Sequence, residues 1–343
     1  MLIAVISGFI FALVIPIILG KLKGKSTIWV ALLPFSIFGF FLSKLPIILA
    51  GETIKTSYQW VPSIGINLDF HLDGLSYLFV LLISGIGTLV FVYTSSYLKG
   101  HKYLDRFYAY LSMFMASMLG LVLSDNIYAL FIFWELTSIS SFFLNNDNPD
   151  SRKSAITALA ITGFGGLFLM AAMVGLGQIT GLFQISALIP LTDSIQSHEL
   201  YGWVLVFLFI AAFTKSAQFP FHFWLPGAMK APTPVSTYLH SATMVKAGIY
   251  LLARFTPVLG NHEWWNSTLI IVGAITMTYA AIHALFRLDL KGILAYSTIS
   301  ALGILVFLIG LGTEEALLAA TVFILVHALY KATLFLVTGI IDH

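Results

Sequence analysis

The chain has 343 residues, of which 59% are hydrophobic and only 9% are charged, and its net charge is +2. Soluble domains have about 25% charged residues, so this composition excludes an ordinary soluble domain and indicates a polytopic membrane protein. The small net charge argues against a nucleic-acid partner. The absence of cysteine excludes disulfides, thiolate–metal sites and iron–sulfur clusters on this chain.

Apolar segments of about 20 residues recur along the chain, as transmembrane helices require and alternating barrel strands do not. We therefore predict an all-α polytopic membrane protein with about eleven transmembrane helices. Residues 1–19 lack the basic start and the small-residue cleavage site of a signal peptide, so they are interpreted as the first helix. The predicted spans are residues 2–20, 27–50, 72–94, 107–123, 126–144, 154–178, 202–224, 234–255, 268–286, 292–310 and 316–340.

The distribution of Lys and Arg between loops predicts the orientation, because cytoplasmic loops are enriched in these residues. One set of loops has eleven of the 17 and the opposite set has three, which places the amino terminus outside and the carboxyl terminus in the cytoplasm. Residues 51–74, with Pro, Gly and alternating apolar positions, are then an external hairpin or irregular cap. The basic side consists of Lys21, Lys23, Lys25, Lys99, Lys102, Arg106, Arg152, Lys153, Lys230, Arg287 and Lys291; the opposite side has Lys44, Lys55 and Arg254.

Four ionisable residues lie deep inside predicted spans: Glu135, Lys215, Lys246 and Lys331. Each such residue costs about 2.5–3.5 kcal/mol on insertion scales. Together they cost on the order of 10 kcal/mol, comparable to the net stability of a whole domain. Ion transport is therefore the first hypothesis.

The seventh span contains Lys215, with Pro220 and His222 shortly after it. Proline removes a backbone donor and clashes with the preceding turn, so Pro220 predicts a kink or break just after the lysine. Breaks at membrane depth are tolerated beside protein or a wet cavity, and in transporters they mark ion sites. A kink that serves packing alone is the alternative. His222 lies at the membrane boundary.

Glu135 and Lys215 form a pair if the fifth and seventh helices touch. A buried carboxylate and a nearby ammonium favour each other's charged form, so protonation of Glu135 would release the Lys215 proton onward. Ser138 lies three residues after Glu135 and shares its helix face. The alternative is a structural salt bridge between two helices.

Further candidates lie in the later helices. His240 and Lys246 are six residues apart, about 120° around one helix, which is too wide for a shared metal site but suits successive stations on a wet path. His327 and Lys331 are four apart, share a face and can exchange a proton. Either histidine alone is more often a satisfied interior residue. Lys291, at the start of the tenth helix, is either a cytoplasmic anchor or the start of an inward half-channel that Tyr296, Ser297, Thr298 and Ser300 line.

The same residues carry a family resemblance over essentially the whole chain. The run TKSAQFPFHFWLPGAMKAPTPVSTYLHSATMVKAGIYLL, with LDLKGILAYSTIS and HALYKATLFLVTGIIDH, resembles the large antiporter-type subunits of the Mrp cation/proton antiporter. These subunits are relatives of the proton-pumping membrane subunits of respiratory complex I. HSATMVKAG, with Lys246, and the terminal GIIDH resemble the Mrp A subunit more than the complex I version.

The resemblance implies an antiporter-like fold of fourteen or more helices, with two inverted five-helix repeats that each contain a broken helix. Within a single transmembrane bundle over residues 1–343, it implies N-terminal helices in 1–106, a complete first repeat in 107–255 and an incomplete second repeat in 268–343. The chain stops after about eleven predicted helices, without the broken helix of the second repeat. We therefore expect a truncated or split form, or one completed by a partner. Phe323 also occupies a position where many relatives have a second histidine.

The resemblance also implies roles. Glu135 and Lys215 correspond to the acid–lysine pair of the family, Lys246 to the connecting lysine, and His327 with Lys331 to the start of the path in the second repeat. Mrp complexes exchange sodium for protons and assemble from several small and large subunits. The expected protein is a non-enzymatic transporter subunit of the bacterial cytoplasmic membrane with no cofactor, and its sodium ligands are unknown.

Three functions follow from these expectations. The first is a subunit of a Na⁺/H⁺ antiporter, with K⁺ and Li⁺ as open alternatives, that uses Glu135, Lys215, Lys246, His327 and Lys331. The second is the proton-pumping membrane subunit of a complex I-like or hydrogenase-linked respiratory complex. The third is a scaffold remnant of a larger assembly. The complete set of candidate residues is Glu135, Lys215, Lys246, His327, Lys331, His240, His222 and Lys291.

Overall fold

A computed structural model of the chain describes residues 1–21, 26–61, 63, 66–145 and 149–342. Those residues are predominantly helical, which confirms the predicted fold class. The long helices are α1 (Leu2–Lys21), α2 (Leu32–Leu42), α4 (Gly74–Tyr97), α5 (Leu104–Leu123), α6 (Ile127–Asn145), α7 (Pro149–Thr180), α9 (Tyr201–Lys215), α12 (Ala247–Leu259), α13 (Glu263–Leu285), α14 (Leu290–Leu311) and α15 (Glu314–Asp342). The short helices are α3 (Leu45–Leu49), α8 (Thr192–Gln196), α10 (Trp224–Ala228) and α11 (Thr233–Ser241).

Among the described residues, nine helical segments are long and apolar enough to cross a membrane, or ten if one bent pair counts as a single span. The sequence predicted about eleven. The difference lies in predicted spans 202–224 and 234–255, because each is divided into shorter helices. The chain is a multi-pass membrane protein.

The predicted break after Lys215 is confirmed, since α9 ends at that residue. The chain turns at Ala217, whose φ is 47°, and continues through a cis Phe219–Pro220 peptide into α10. The carbonyl that the break frees at Thr214 accepts a hydrogen bond from Trp224 Nε1 at 2.9 Å. Such side-chain partners satisfy backbone groups that a continuous helix would have paired internally.

A second break was not predicted, and the single helix expected over residues 234–255 is wrong. Helix α11 ends at Ser241, and α12 begins only at Ala247. Thr243 has a non-helical backbone, with φ −127° and ψ −102°, and its hydroxyl donates to Tyr238 O at 2.6 Å. Threonine hydroxyls compete with helical backbone bonds in this way. His240 and Lys246 therefore do not lie on one regular helix.

The hairpin predicted within residues 51–74 is confirmed. Strands β1 (Ile54–Val61) and β2 (Ile66–Leu72) pair antiparallel beside the start of α4. Asp73 then caps α4 and receives two hydrogen bonds from Arg254 of α12. Burial alone would raise the pKa of the Asp73 carboxyl, but the hydrogen bonds and charge of Arg254 hold it well below its usual range. This ion pair connects the hairpin end of the bundle to α12.

Helix α5 lies at the centre of the bundle, where it packs against α1, α4 and α6. Helix α7 packs against α6 and α9, while α15 packs against α11 and α14. Helices α13 and α14 approach closely at Gly273 and Gly303, because a side chain at either glycine would meet the backbone of the other helix. Among the candidate residues, Glu135 lies on α6, Lys215 ends α9, His240 lies on α11, Lys246 immediately precedes α12, and His327 and Lys331 lie on α15.

Candidate functional site

Glu135 lies on α6 and points toward α7. A Cβ at Gly166 of α7 would overlap Glu135 Oε1, so the carboxylate occupies the space that the missing side chain leaves. The residue is only partly buried, but Oε1 itself is buried and has no hydrogen-bond partner among the described residues. An unpaired buried carboxylate oxygen is costly in a membrane, so this atom needs water or a proton.

Lys215, the last residue of α9, is fully buried and faces α6. Its Nζ donates to Ser138 Oγ at 2.7 Å and to Trp134 O at 3.1 Å, and it lies 4.9 Å from the centre of the Trp134 ring. Glu135 and Lys215 are both described, and they form no ion pair within 4.0 Å. The charges of the Glu135 carboxylate and the Lys215 amine still interact across the space between them. The alternative of a direct structural salt bridge is therefore not the arrangement found.

The two helix breaks contact each other through Ser216. Ser216 Oγ donates to Val245 O at 2.6 Å and accepts from Ile249 N at 3.1 Å. Gly248 allows this approach, because a Cβ there would overlap Ala212 O and Ser216 Oγ. The residue after Lys215 is thus bonded to the residue before Lys246, and a shift of either break must move the other.

Lys246 is fully buried between its own break and α15. Its Nζ donates to Ser241 O at 2.5 Å and to Ile324 O at 3.1 Å. His327 follows Ile324 by three residues, so it lies on the same face of α15. It interacts electrostatically with Lys246 and with Lys331.

Lys331 repeats the environment of Lys215 on another pair of helices. Its Nζ donates to Ser297 Oγ at 2.5 Å and to Leu294 O at 3.1 Å, both on α14. In each case a buried ammonium binds one helix carbonyl and one hydroxyl a turn later on the neighbouring helix. Within the described residues none of Lys215, Lys246 and Lys331 has a carboxylate within 4.0 Å.

His240 and His327 are completely buried, and neither ring nitrogen of either residue has a partner in the described part of the chain. A neutral imidazole has one donor and one acceptor, so four hydrogen-bonding positions are unfilled by protein. Buried polar groups without protein partners are satisfied by ordered water. We call Glu135, Lys215, Lys246, His327 and Lys331 the central row. His240 interacts electrostatically with Lys331 and so lies beside this row.

A model of the family described as NADH:quinone oxidoreductase/Mrp antiporter, transmembrane, matches residues 124–343. The chain belongs to this family. A second model, the complex I chain 5 N-terminus, matches residues 60–108. Subunit A1 of a Na⁺/H⁺ antiporter from Staphylococcus aureus, for instance from strain Newman, is 44% identical over 99% of this chain. The chain spans only 45% of that relative.

Two solved structures have the same antiporter-like fold. The Mrp complex from Dietzia sp. has a chain that is 40% identical, with a TM-score of 0.91 over 99% of this chain and 37% of its own length. An archaeal respiratory complex, the membrane-bound sulfane sulfur reductase, has a chain with a TM-score of 0.87 over 99% of this chain and 70% of its own. At 23% identity, the second shows the fold alone. The resemblance to Mrp antiporter subunits is confirmed.

In the described part of this antiporter-like chain, the boundary candidates His222 and Lys291 form no hydrogen bond with Lys215, Lys246 or Lys331. His222, 8% exposed, stacks on Phe219 and contacts Tyr279 edge-on, 4.7 Å between ring centres. Lys291 is partly exposed in the first turn of α14, and its amine forms no hydrogen bond within the described residues. Its place at the end of a helix fits the anchoring alternative.

Sequence reasoning missed two residues that hold the central row together. Ser216 and Ser241 supply the hydroxyl and carbonyl groups that contact the second break and Lys246. Small polar residues beside buried lysines, TKS and HSATMVK, were the available signal, but the partners of Ser216 lie 29 and 33 residues away, so the pattern alone cannot assign them. Ser297, predicted with Tyr296, Thr298 and Ser300 to line a half-channel, accepts a hydrogen bond from Lys331.

We expect Ser216→Ala to destabilise the protein, because it leaves Val245 O and Ile249 N without their partner. The loss for one buried unsatisfied group is about 1–3 kcal/mol. Thermal unfolding of the purified assembly measures it. Ser197→Ala is the matched control, since that exposed hydroxyl bonds only within its own turn. Equal melting of Ser216→Ala, Ser197→Ala and wild type would contradict the coupling of the two breaks.

Proposed function

We propose that the chain is part of a cation/proton antiporter subunit of the bacterial cytoplasmic membrane and that it exchanges Na⁺ for protons within a larger assembly. Protons move between Lys331, His327, Lys246, Lys215 and Glu135. Sodium efflux is coupled electrostatically, because a cation elsewhere in the assembly shifts the proton equilibrium between Glu135 and Lys215. K⁺ and Li⁺ are alternative substrates for the same coupling.

The observation that supports this proposal best is the set of acceptors around Lys215, Lys246 and Lys331. Main-chain carbonyls and serine hydroxyls accept hydrogen bonds from an ammonium and equally from a neutral amine. A lysine bound in this way can lose its proton without leaving an unpaired charge behind. A buried lysine bound to a carboxylate cannot, because removing one partner of a buried ion pair costs about 3–5 kcal/mol. The arrangement therefore favours proton transfer over bracing.

In this proposal, water fills the hydrogen-bonding positions that the protein leaves open along the central row. The unpaired nitrogens of His240 and His327 lie near Lys331, and the unpaired oxygen of Glu135 lies at the other end of the central row. Imidazole groups and water exchange protons near neutral pH. His240 then serves as a proton-binding site beside Lys331.

Sodium-dependent proton movement in vesicles that contain the assembly, with Lys215 replaced, tests the proposal. We expect sodium/proton exchange to be lost, and unchanged exchange would contradict the proposed function.

The repeat organisation is part of the proposal. Residues 107–255 form the first repeat and residues 268–343 begin the second, after N-terminal helices in 1–106. The matching environments of Lys215 and Lys331 support this division, since each amine binds a carbonyl and a serine hydroxyl on an adjacent helix. Other Mrp-type subunits supply the remainder of the assembly.

A redox-driven proton pump is the second candidate. The matching family includes NADH:quinone oxidoreductase subunits, and the fold of an archaeal respiratory complex is similar over the whole chain. The proteins that copurify with a tagged version of this chain distinguish the two functions. Small hydrophobic antiporter subunits favour sodium/proton exchange, whereas iron–sulfur subunits favour the pump.

We predict that the amino terminus and the β1–β2 hairpin face outward and the α4–α5 loop faces the cytoplasm. The chain has no cysteine, so single thiols report accessibility without background. Exposed Gln59 and exposed Lys102 lie on these two sides. A membrane-impermeant maleimide should label Gln59→Cys in intact cells and Lys102→Cys only after permeabilisation. The reverse pattern would invert the proposed orientation.

A further inference from the structure

A row of aromatic and histidine side chains extends from the break after Lys215 to one end of the bundle. His222 contacts Tyr279, Tyr279 contacts His283 with ring centres 4.1 Å apart, and His283 contacts Tyr296 at 5.6 Å. Arg287 closes the row: its Nη2 donates to Tyr296 OH at 2.8 Å, and its guanidinium lies over the Tyr296 ring. Two helices and the break segment contribute to this row.

The spacing along α13 makes the row continuous. Tyr279 and His283 are four residues apart and Arg287 follows after four more, so the first two share a helix face. Along α13 and into the loop after it, exposure increases from the partly buried Tyr279 and His283 to the exposed Arg287, while His222 and Tyr296 are buried. The row therefore connects a buried region to solvent.

At its inner end the row reaches the break. Phe219, stacked on His222, donates its backbone N–H to Thr276 Oγ1 at 3.0 Å. Two buried polar atoms here, Gln218 Oε1 and His222 Nδ1, have no partner among the described residues. Gln218 is three residues from Lys215. Buried groups of this kind are satisfied by water, so the row continues into a hydrated break.

Packing alone does not account for these residue types. Aliphatic or phenylalanine side chains would fill a helix seam in a membrane without the cost of burying imidazole rings. Imidazole and phenol groups both donate and accept protons, and histidine does so near neutral pH. The row thus has the chemistry of a proton path.

We propose that His222, Tyr279, His283 and Tyr296 form the cytoplasmic proton inlet to the break beside Lys215. This inference rests on the proposed function and adds the route by which protons reach Lys215. Arg287 lies at the mouth of this inlet and holds the Tyr296 hydroxyl by a hydrogen bond, while the nearby Asp289 carboxylate caps α14 by accepting from Gly292 N.

The inlet predicts that His283→Gln slows exchange several-fold. Gln keeps a polar side chain but cannot carry a proton, and Tyr279→Phe, which keeps the ring and removes the hydroxyl, should slow exchange as well. The measurement is sodium-dependent proton movement by the complete assembly in vesicles at alkaline pH, where proton supply is limiting. Added imidazole should restore the rate of His283→Gln, because a small diffusible base replaces the missing side chain.

The matched control is His262→Asn at the opposite end of α13. His262 also contacts an aromatic ring and caps its helix, and Asn preserves the cap. Its exchange rate should be that of the wild type. A wild-type rate for His283→Gln, or a slow rate that imidazole does not restore, would overturn the inlet. Lys215→Ala in the same preparation separates the two ideas: loss of exchange there, with an unaffected His283→Gln, leaves the proposed function standing without this inlet.

Discussion

Replacing Lys215 with alanine or glutamine is expected to abolish sodium-dependent proton exchange by the assembly. The amine is fully buried, ends a broken helix and faces α6 beside Glu135. Alanine removes the proton carrier together with its hydrogen bonds. Glutamine retains a donor for Trp134 O and Ser138 Oγ but has no titratable group, so it isolates the loss of protonation from the loss of contacts.

The control for Lys215 is a lysine of the same chain that lies outside the central row. Lys230 is exposed after α10, and Lys230→Gln should leave exchange unchanged. Both variants are compared by fluorescence quenching of a pH-sensitive dye in vesicles, with assembly verified by size-exclusion chromatography. Assembled Lys215→Gln with wild-type exchange would contradict a proton relay through this residue.

The first break illustrates what the sequence predicts well. Pro220 acts locally, because a missing N–H and a steric clash end a helix wherever they occur. The position of Lys215 at the end of α9 followed from that rule, whereas its contact with the Glu135 turn of α6 was predicted only on the condition that the two helices touch. The sequence did not predict that Lys215 would bind Ser138 and Trp134 O instead of the carboxylate, because this depends on the helix–helix distance.

The second break illustrates the limit. Residues 234–255 have helical hydrophobicity, and neither proline nor glycine interrupts them between Ser241 and Lys246. Besides the local bond from Thr243 to Tyr238 O, the break is held by contacts of Val245 with Ser216 and of Lys246 with Ile324, which lie far away in sequence. Tertiary contacts override local propensity in such segments. His222 and Tyr296 were candidates from the sequence, but their connection through Tyr279 and His283 was missed for the same reason, although the four-residue spacing on α13 was visible.

The fold assigns Glu135 a position that can be tested without changing the residue itself. Gly166 of α7 leaves room for the carboxylate, and a Cβ there would overlap Oε1. Because this oxygen is at the end of a flexible side chain, Gly166→Ala should move the carboxylate while the helices stay in place. We expect exchange to fall at least several-fold with the assembly intact.

Gly163 is the matched control on the same helix, since a Cβ there meets no atom within 4 Å. Each Gly→Ala change favours the helix by about 0.5–1 kcal/mol, so neither variant should lose stability through helix propensity. Exchange should be unchanged in Gly163→Ala. If Gly166→Ala also exchanges at the wild-type rate, the position of the Glu135 carboxylate does not matter and its place in the relay is lost. If only Gly166→Ala is slow, the carboxylate acts from the position that the glycine provides.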